Sequence, residues 1–403
     1  MISLQDKLMQ ISSHREEIVA FFFLFFLAIF VPTNGIGSTG IMFVLAWVLF
    51  NESDLRRAWW KSIRALMAVV LVYFLIMTTY AFSVKASLHD GGEVLKSIAL
   101  SLVVFYILKL SEVTLRKAMQ SVLICLVIST SLILVYNLQY HGVDGVLQRH
   151  ELDWYVNRNR LAVGFSLMFI FALTLVINET VRLKSFLLSC VMVLAAVAAL
   201  LNDSRGAIVA MFVSSVSIVL FALFKQGAKE VLRFDWLCLP TFIAAIILGY
   251  VFINHLNLIG FVHHEGDITT YRSLIWQTIW ERLQNSIWVG YGPHAIMHDH
   301  FLIDGEMQTF RHPHSIYMSL LYSSGIVGIV FWFTWFSIYL SRSRKIVYSN
   351  NDIGFYIGLG ILVNALVHGL VDFDFYALDT MTFLIVGITL VAVKSKANFK
   401  SAN

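Results

Sequence analysis

Residues 311–340 read RHPHSIYMSLLYSSGIVGIVFWFTWFSIYL, and this stretch decides the fold. From Ser315 to Leu340 it holds no Asp, Glu, Lys or Arg. As a helix, 26 such residues extend about 39 Å at 1.5 Å per residue, enough to cross a hydrocarbon core of about 30 Å. Comparable apolar runs fill the rest of the chain. They are longer than barrel strands and do not alternate in polarity, so the spans are helices and not strands of a closed barrel. The expected spans lie near 18–33, 37–50, 65–84, 94–110, 118–137, 160–177, 186–202, 206–224, 236–254, 315–340, 353–371 and 377–393.

The composition agrees: 58% of the 403 residues are hydrophobic, only 13% are charged, and mean hydropathy is +0.76. Soluble domains carry about 25% charged residues. The expected class is an all-α polytopic membrane protein of about twelve transmembrane helices, forming one membrane domain over 1–403. One long, partly helical loop, 255–314, separates spans nine and ten. The polar segment Met1–Glu17 carries no cleavage signal, so no removable leader is expected. Cys125, Cys190 and Cys238 are isolated and give neither a disulfide framework nor a metal motif. A net charge of +4 suggests no nucleic-acid surface.

Placing both termini on one side puts 20 of the 29 Lys and Arg residues there, which makes that side cytoplasmic. Of 13 histidines only His14 falls with them. Eight others, His255, His263, His264, His294, His298, His300, His312 and His314, crowd the long loop. The working face is therefore extracytoplasmic, and its chemistry is sought where imidazoles and cations meet.

Three short patterns stand there. Asn202-Asp203-Ser204-Arg205-Gly206-Ala207 turns the chain between two apolar runs. A guanidinium at a helix start suits phosphate, although Arg205 serves equally as a snorkelling cap. Arg272, Trp276 and Trp280 repeat every four residues on one helical face. Arg272 is a second phosphate candidate, while the tryptophans stack on sugar or anchor an interfacial helix. His312-Pro313-His314 closes the loop, where a neutral imidazole can take a proton from a hydroxyl.

Arg158 and Arg160, opening the sixth span, and Asp372, after the eleventh, are supporting candidates. The arginines suit an anionic substrate, and the carboxylate suits orientation of a histidine. His294 and His298 with His300 have zinc-like spacing, but neither cysteine nor HExxH accompanies them. They are read as solvated loop histidines, and no metal site is assigned.

Together, Ser204-Arg205-Gly206-Ala207, Arg272 and Trp276 with Gly290-Tyr291-Gly292 behind, and His312-Pro313-His314 before Gly325-Ile326-Val327-Gly328 resemble the O-antigen ligase and polymerase superfamily of bacterial membrane glycosyltransferases. The family commonly has Asn after the second histidine, where this chain has Ser315. The resemblance implies a lipid-donor glycosyltransferase of the GT-C type at the periplasmic face of the inner membrane. Its donor is an undecaprenyl-diphosphate-linked glycan, and in the ligase branch its acceptor is a sugar hydroxyl of lipid A-core. Membrane lipids are further partners, and no cofactor or essential metal is implied. On that basis His314 or His312 is the catalytic base, and Arg205 and Arg272 bind the diphosphate. A polysaccharide polymerase of the same superfamily is the near rival. A membrane transporter is the distant one, disfavoured because the spans are poor in charge and show no repeated halves.

Overall fold

The computed structural model describes residues 4–29, 36–81, 83–147, 158–202, 204–226, 272–298, 301–303, 306–309, 313–346 and 352–392. Eight helices come first: α1 (Leu4–Ala28), α2 (Ile36–Asn51), α3 (Ser53–Met77), α4 (Val84–Lys109), α5 (Glu112–Leu147), α6 (Arg158–Ile177), α7 (Arg182–Leu201) and α8 (Arg205–Gln226). The loop contributes α9 (Arg272–Leu283), a 3-10 turn (Ala295–His298) and a two-stranded antiparallel hairpin, β1 (Phe301–Ile303) and β2 (Glu306–Gln308). The chain returns through α10 (Ile316–Ser343), α11 (Asp352–His368) and α12 (Leu378–Val391).

Eleven expected spans fall on these helices, and the ninth, 236–254, lies outside the described residues. Among the described residues, six helical stretches are long and apolar enough to cross a membrane: α3, α4, Glu112–Tyr136, α7, Gly206–Lys225 and α10. Shorter apolar helices are α2, Leu161–Ile177, α11 and α12. The architecture is predominantly helical and suits a polytopic membrane protein. Two details differ from the sequence reading. The N-terminal polar segment is already helical from Leu4, and the long loop contains a hairpin.

Burial follows the logic of a lipid-facing bundle. Every residue of α6 from Leu161 to Val176 is buried, whereas Phe224 of α8 and Phe333 of α10 are 87% and 75% exposed. Apolar side chains face outward because lipid is as apolar as the interior, and small hydroxyl residues collect inside. Ser97 of α4 bonds Thr382 of α12 at 3.1 Å, and Tyr339 of α10 bonds Thr389 at 2.7 Å. Lys225 pairs with Asp352, joining the far ends of α8 and α11.

One feature sets the geometry of the site. Helix α10 is broken at Gly325, where φ is +60° and ψ −163°. The break frees carbonyls before it and amides after it, and such groups in a membrane protein require partners. Residues 287–292 supply them. Tyr291 and Gly292 amides donate to the Tyr322 and Ser323 carbonyls at 2.9 and 2.8 Å. Ile326 and Val327 amides donate to the Ile287 and Trp288 carbonyls, each at 3.0 Å. A side chain at Gly325 has no room, since a Cβ would lie 2.4 Å from the Trp288 carbonyl carbon. Beyond the break, Ile326–Ser343 extends about 27 Å, close to one hydrocarbon thickness.

Candidate active site

The site is assembled around the turn that follows α11, His368 to Tyr376. Ser315 caps α10: its backbone is extended and its Oγ accepts from the Met318 amide at 3.4 Å. Serine is a favoured N-cap, so this position retains its local structural role. The Ile316 amide donates to the Gly369 carbonyl at 2.8 Å. One turn on, the Ser319 hydroxyl donates to Asp374 at 2.6 Å and accepts from the Phe375 amide at 3.2 Å. The start of α10 is thereby fixed to the 369–376 turn.

His314 sits at that junction with φ +52°. Its Nδ1 lies 3.5 Å from Asp372 Oδ1, the ring 30% exposed and the carboxylate 4%. The distance is at the outer limit of a hydrogen bond and within ion-pair reach. Phe373, at φ +71°, and His294, at φ +58°, are the other non-glycine residues of left-handed backbone among those described. Such conformations cost free energy and gather at functional sites. The preceding Pro313 is held from the other side, its carbonyl accepting from Trp276 Nε1 at 2.8 Å. Trp276 thus orients the histidine segment through its indole N–H, whereas Trp280 is half-exposed.

Two further helix starts border the same turn. Arg205 is the first residue of α8, and its neighbour Gly206 packs so closely on the turn that a Cβ would meet Val371 at 2.6 Å and His368 at 3.0 Å. Arg272 opens α9, close enough to His368 for its charge to bear on that ring. The helix starts carrying Arg205 and Arg272, together with His314, converge on residues 368–372. Two helix N-termini and one imidazole thus border the same turn, and helix N-termini favour anions.

Arg158 and Arg160 open α6, which packs on α7 and α8. His312 lies outside the described residues, as do His255, His263, His264 and His300. Sequence reasoning missed His368, whose buried ring edge contacts Phe373 with centroids 4.8 Å apart. It also missed Asp90, which receives His294 Nε2 at 2.9 Å. Their signal was only an ionisable residue at the end of an apolar run.

Residues 190–333 match the family model Wzy_C, described as O-antigen ligase. The chain also resembles a solved chain from "Structural coordination of polymerization and crosslinking by a peptidoglycan synthase complex". That likeness has 14% identity, a TM-score of 0.40, and coverage of 82% of this chain and 96% of the other. No curated protein matches. The match runs across Arg205, Arg272, His312 and His314, and over that region this multi-pass membrane protein is similar to the O-antigen ligase-type superfamily.

Proposed function

We propose that the protein is an O-antigen ligase. It transfers polysaccharide from an undecaprenyl-diphosphate donor to a sugar hydroxyl of lipid A-core, on the periplasmic face of the bacterial inner membrane with both termini cytoplasmic. The observation that supports this reading is that the start of α8, the charge of Arg272 and the His314 ring all border the 368–372 turn. Arg205 and Arg272 hold the diphosphate, and their charge offsets the charge that grows as the anomeric carbon–oxygen bond breaks. His314 takes the acceptor's hydroxyl proton as its oxygen attacks the anomeric carbon from the opposite face. A single displacement of this kind inverts the centre. Asp372 stabilises the imidazolium that forms. Either His312 or His314 satisfies the family pattern, and His314 is favoured by its carboxylate partner. Arg158 and Arg160 remain candidates for holding the anionic donor, and the transfer needs no metal in this scheme.

Deletion and complementation, followed on a lipopolysaccharide gel, tests the reading. Loss of the whole ladder with an intact core is the ligase outcome. Retention of a single capping unit identifies a polymerase, and an unchanged ladder rejects both. In the complemented strain Arg205→Lys retains charge but loses the two-pronged donor. Charged hydrogen bonds contribute about 1.5–3 kcal/mol each, so transfer is expected to fall about 10- to 100-fold. Normal ladder intensity would argue against bidentate phosphate binding.

A further inference from the structure

His294 and Asp90 lie 204 positions apart in sequence, yet His294 Nε2 and Asp90 Oδ1 are 2.9 Å apart. Asp90 is buried near the outer end of α4, and His294 is about one-third exposed on the loop. The segment that His294 ends is tied on its other flank to the break in α10 through residues 287–292. Between the two, Gly292 lies against Ala81, where a Cβ would come within 2.7 Å of the Ala81 Cα. Residues 287–294 therefore bridge α10 to the corner between α3 and α4. The bridge also grips α9, because the Tyr291 hydroxyl donates to the Arg282 carbonyl at 2.7 Å.

We propose that Asp90 and His294 form a positioning pair for the glycosyl transfer inferred above: by tying the loop to α4 they fix the tilt of α9 and so the place of Arg272. Arg272 and Arg282 stand at opposite ends of α9, about 15 Å apart along its axis. A tilt of about 4° at the Arg282 end therefore moves the Arg272 end by about 1 Å, a misplacement that can cost on the order of 100-fold in rate.

The pair has a defined charge setting. Asp90 faces His294 from α4, with His89 Nδ1 at 3.5 Å from the same carboxylate. Glu93, one turn on, is paired with Lys96 at 2.6 Å. Asp374 acts on His294 from the turn after α11, and within its own turn His294 Nδ1 meets the Met297 sulfur at 3.2 Å. The Asp90 hydrogen bond raises the His294 pKa above 6.5 against the opposing effect of burial, with the Asp90 and Asp374 charges adding to the rise. A raised imidazolium keeps its pairing energy below its unfolded pKa and loses it as pH climbs through the folded value. The tie is thus charge-reinforced in mild acid and weakens towards alkaline pH.

Two substitutions separate the tie from the strained backbone. Gly accepts the left-handed φ but gives Asp90 nothing, whereas Gln carries its amide nitrogen as many bonds from the backbone as His294 Nε2 and retains an N–H for Asp90. The full chain in nanodiscs is assayed with undecaprenyl-diphosphate-linked glycan and lipid A-core. His294→Gly should lower transfer about 10-fold, chiefly through a higher KM for the donor, and His294→Gln should recover most of that loss. The wild-type rate should decline towards alkaline pH, and this decline should vanish in the Gln variant, which does not titrate, while the acid limb persists. Independently of any substrate, amides 291–298 should exchange faster in the Gly variant than in the Gln variant. Equal behaviour of Gly and Gln in transfer and exchange, or an alkaline decline that persists with Gln, overturns the proposal. A wild-type protein that transfers no glycan overturns the functional reading instead, and the exchange comparison still decides the tie.

Discussion

His314→Asn is expected to abolish glycan transfer while leaving the protein folded in the membrane. The choice of Asn follows from the backbone: at φ +52° an alanine adds strain of its own, whereas Asn tolerates the left-handed region. Asn also keeps hydrogen-bonding capacity but cannot accept a proton near neutral pH. General base catalysis contributes on the order of 10²–10⁴ in rate, and a loss of that size belongs in kcat. His314→Ala should match it with a somewhat lower thermal midpoint. The measurement is transfer of a labelled donor glycan by protein purified in parallel, with membrane insertion checked by protease protection. Undiminished transfer in His314→Asn would remove the histidine from the chemistry and shift attention to His312.

The second large effect concerns stability. Gly325→Ala places a Cβ 2.4 Å from the Trp288 carbonyl carbon on a backbone that L-residues avoid. Left-handed strain costs about 1–2 kcal/mol. Displacing residues 287–292 also leaves the Tyr322 and Ser323 carbonyls and the Ile326 and Val327 amides without partners, at about 1–3 kcal/mol for each buried group. The combined loss is about 5 kcal/mol or more. The variant should show a sharply lower midpoint in detergent and new protease cleavage between Ser286 and Pro293. The matched control is Gly92→Ala, where a Cβ meets nothing within 4 Å on a regular helix. It should be neutral or slightly stabilising. If both variants melt alike, the close approach at Gly325 is not what holds the loop.

These two sites mark what the sequence could nominate and where its reading ended. The helices of the bundle were legible because an apolar run of span length has few alternatives in lipid. His314, Arg205 and Arg272 were legible as residue types suited to phosphate and proton transfer, and their chain order was enough to nominate them. The break at Gly325 was not legible, because Gly325-Ile326-Val327-Gly328 is as apolar as the helix around it. The break is maintained by backbone bonds to residues 287–292, and backbone bonds leave no side-chain pattern. The hairpin at Phe301–Gln308 was missed for a simpler reason: strands of three residues give no alternation to read. Asp90 and His294 were each visible as polar residues flanking apolar runs, but no local spacing joins partners so far apart. Trp276 was read as a stacking or anchoring residue. Its indole N–H proved to reach the Pro313 carbonyl, a directional bond that hydropathy cannot indicate.

The interrupted helix also constrains how the protein is made. Residues 287–292 leave the ribosome before α10, yet α10 holds the four backbone groups that match theirs. Until α10 arrives the loop cannot settle, and until the loop settles α10 carries unmatched polar groups into the bilayer. Neither can finish first. Insertion of α10 and ordering of residues 287–292, which hold α9 through Tyr291, are therefore one event in the life of the chain, so the loop takes its final place only when the membrane helix behind it is complete.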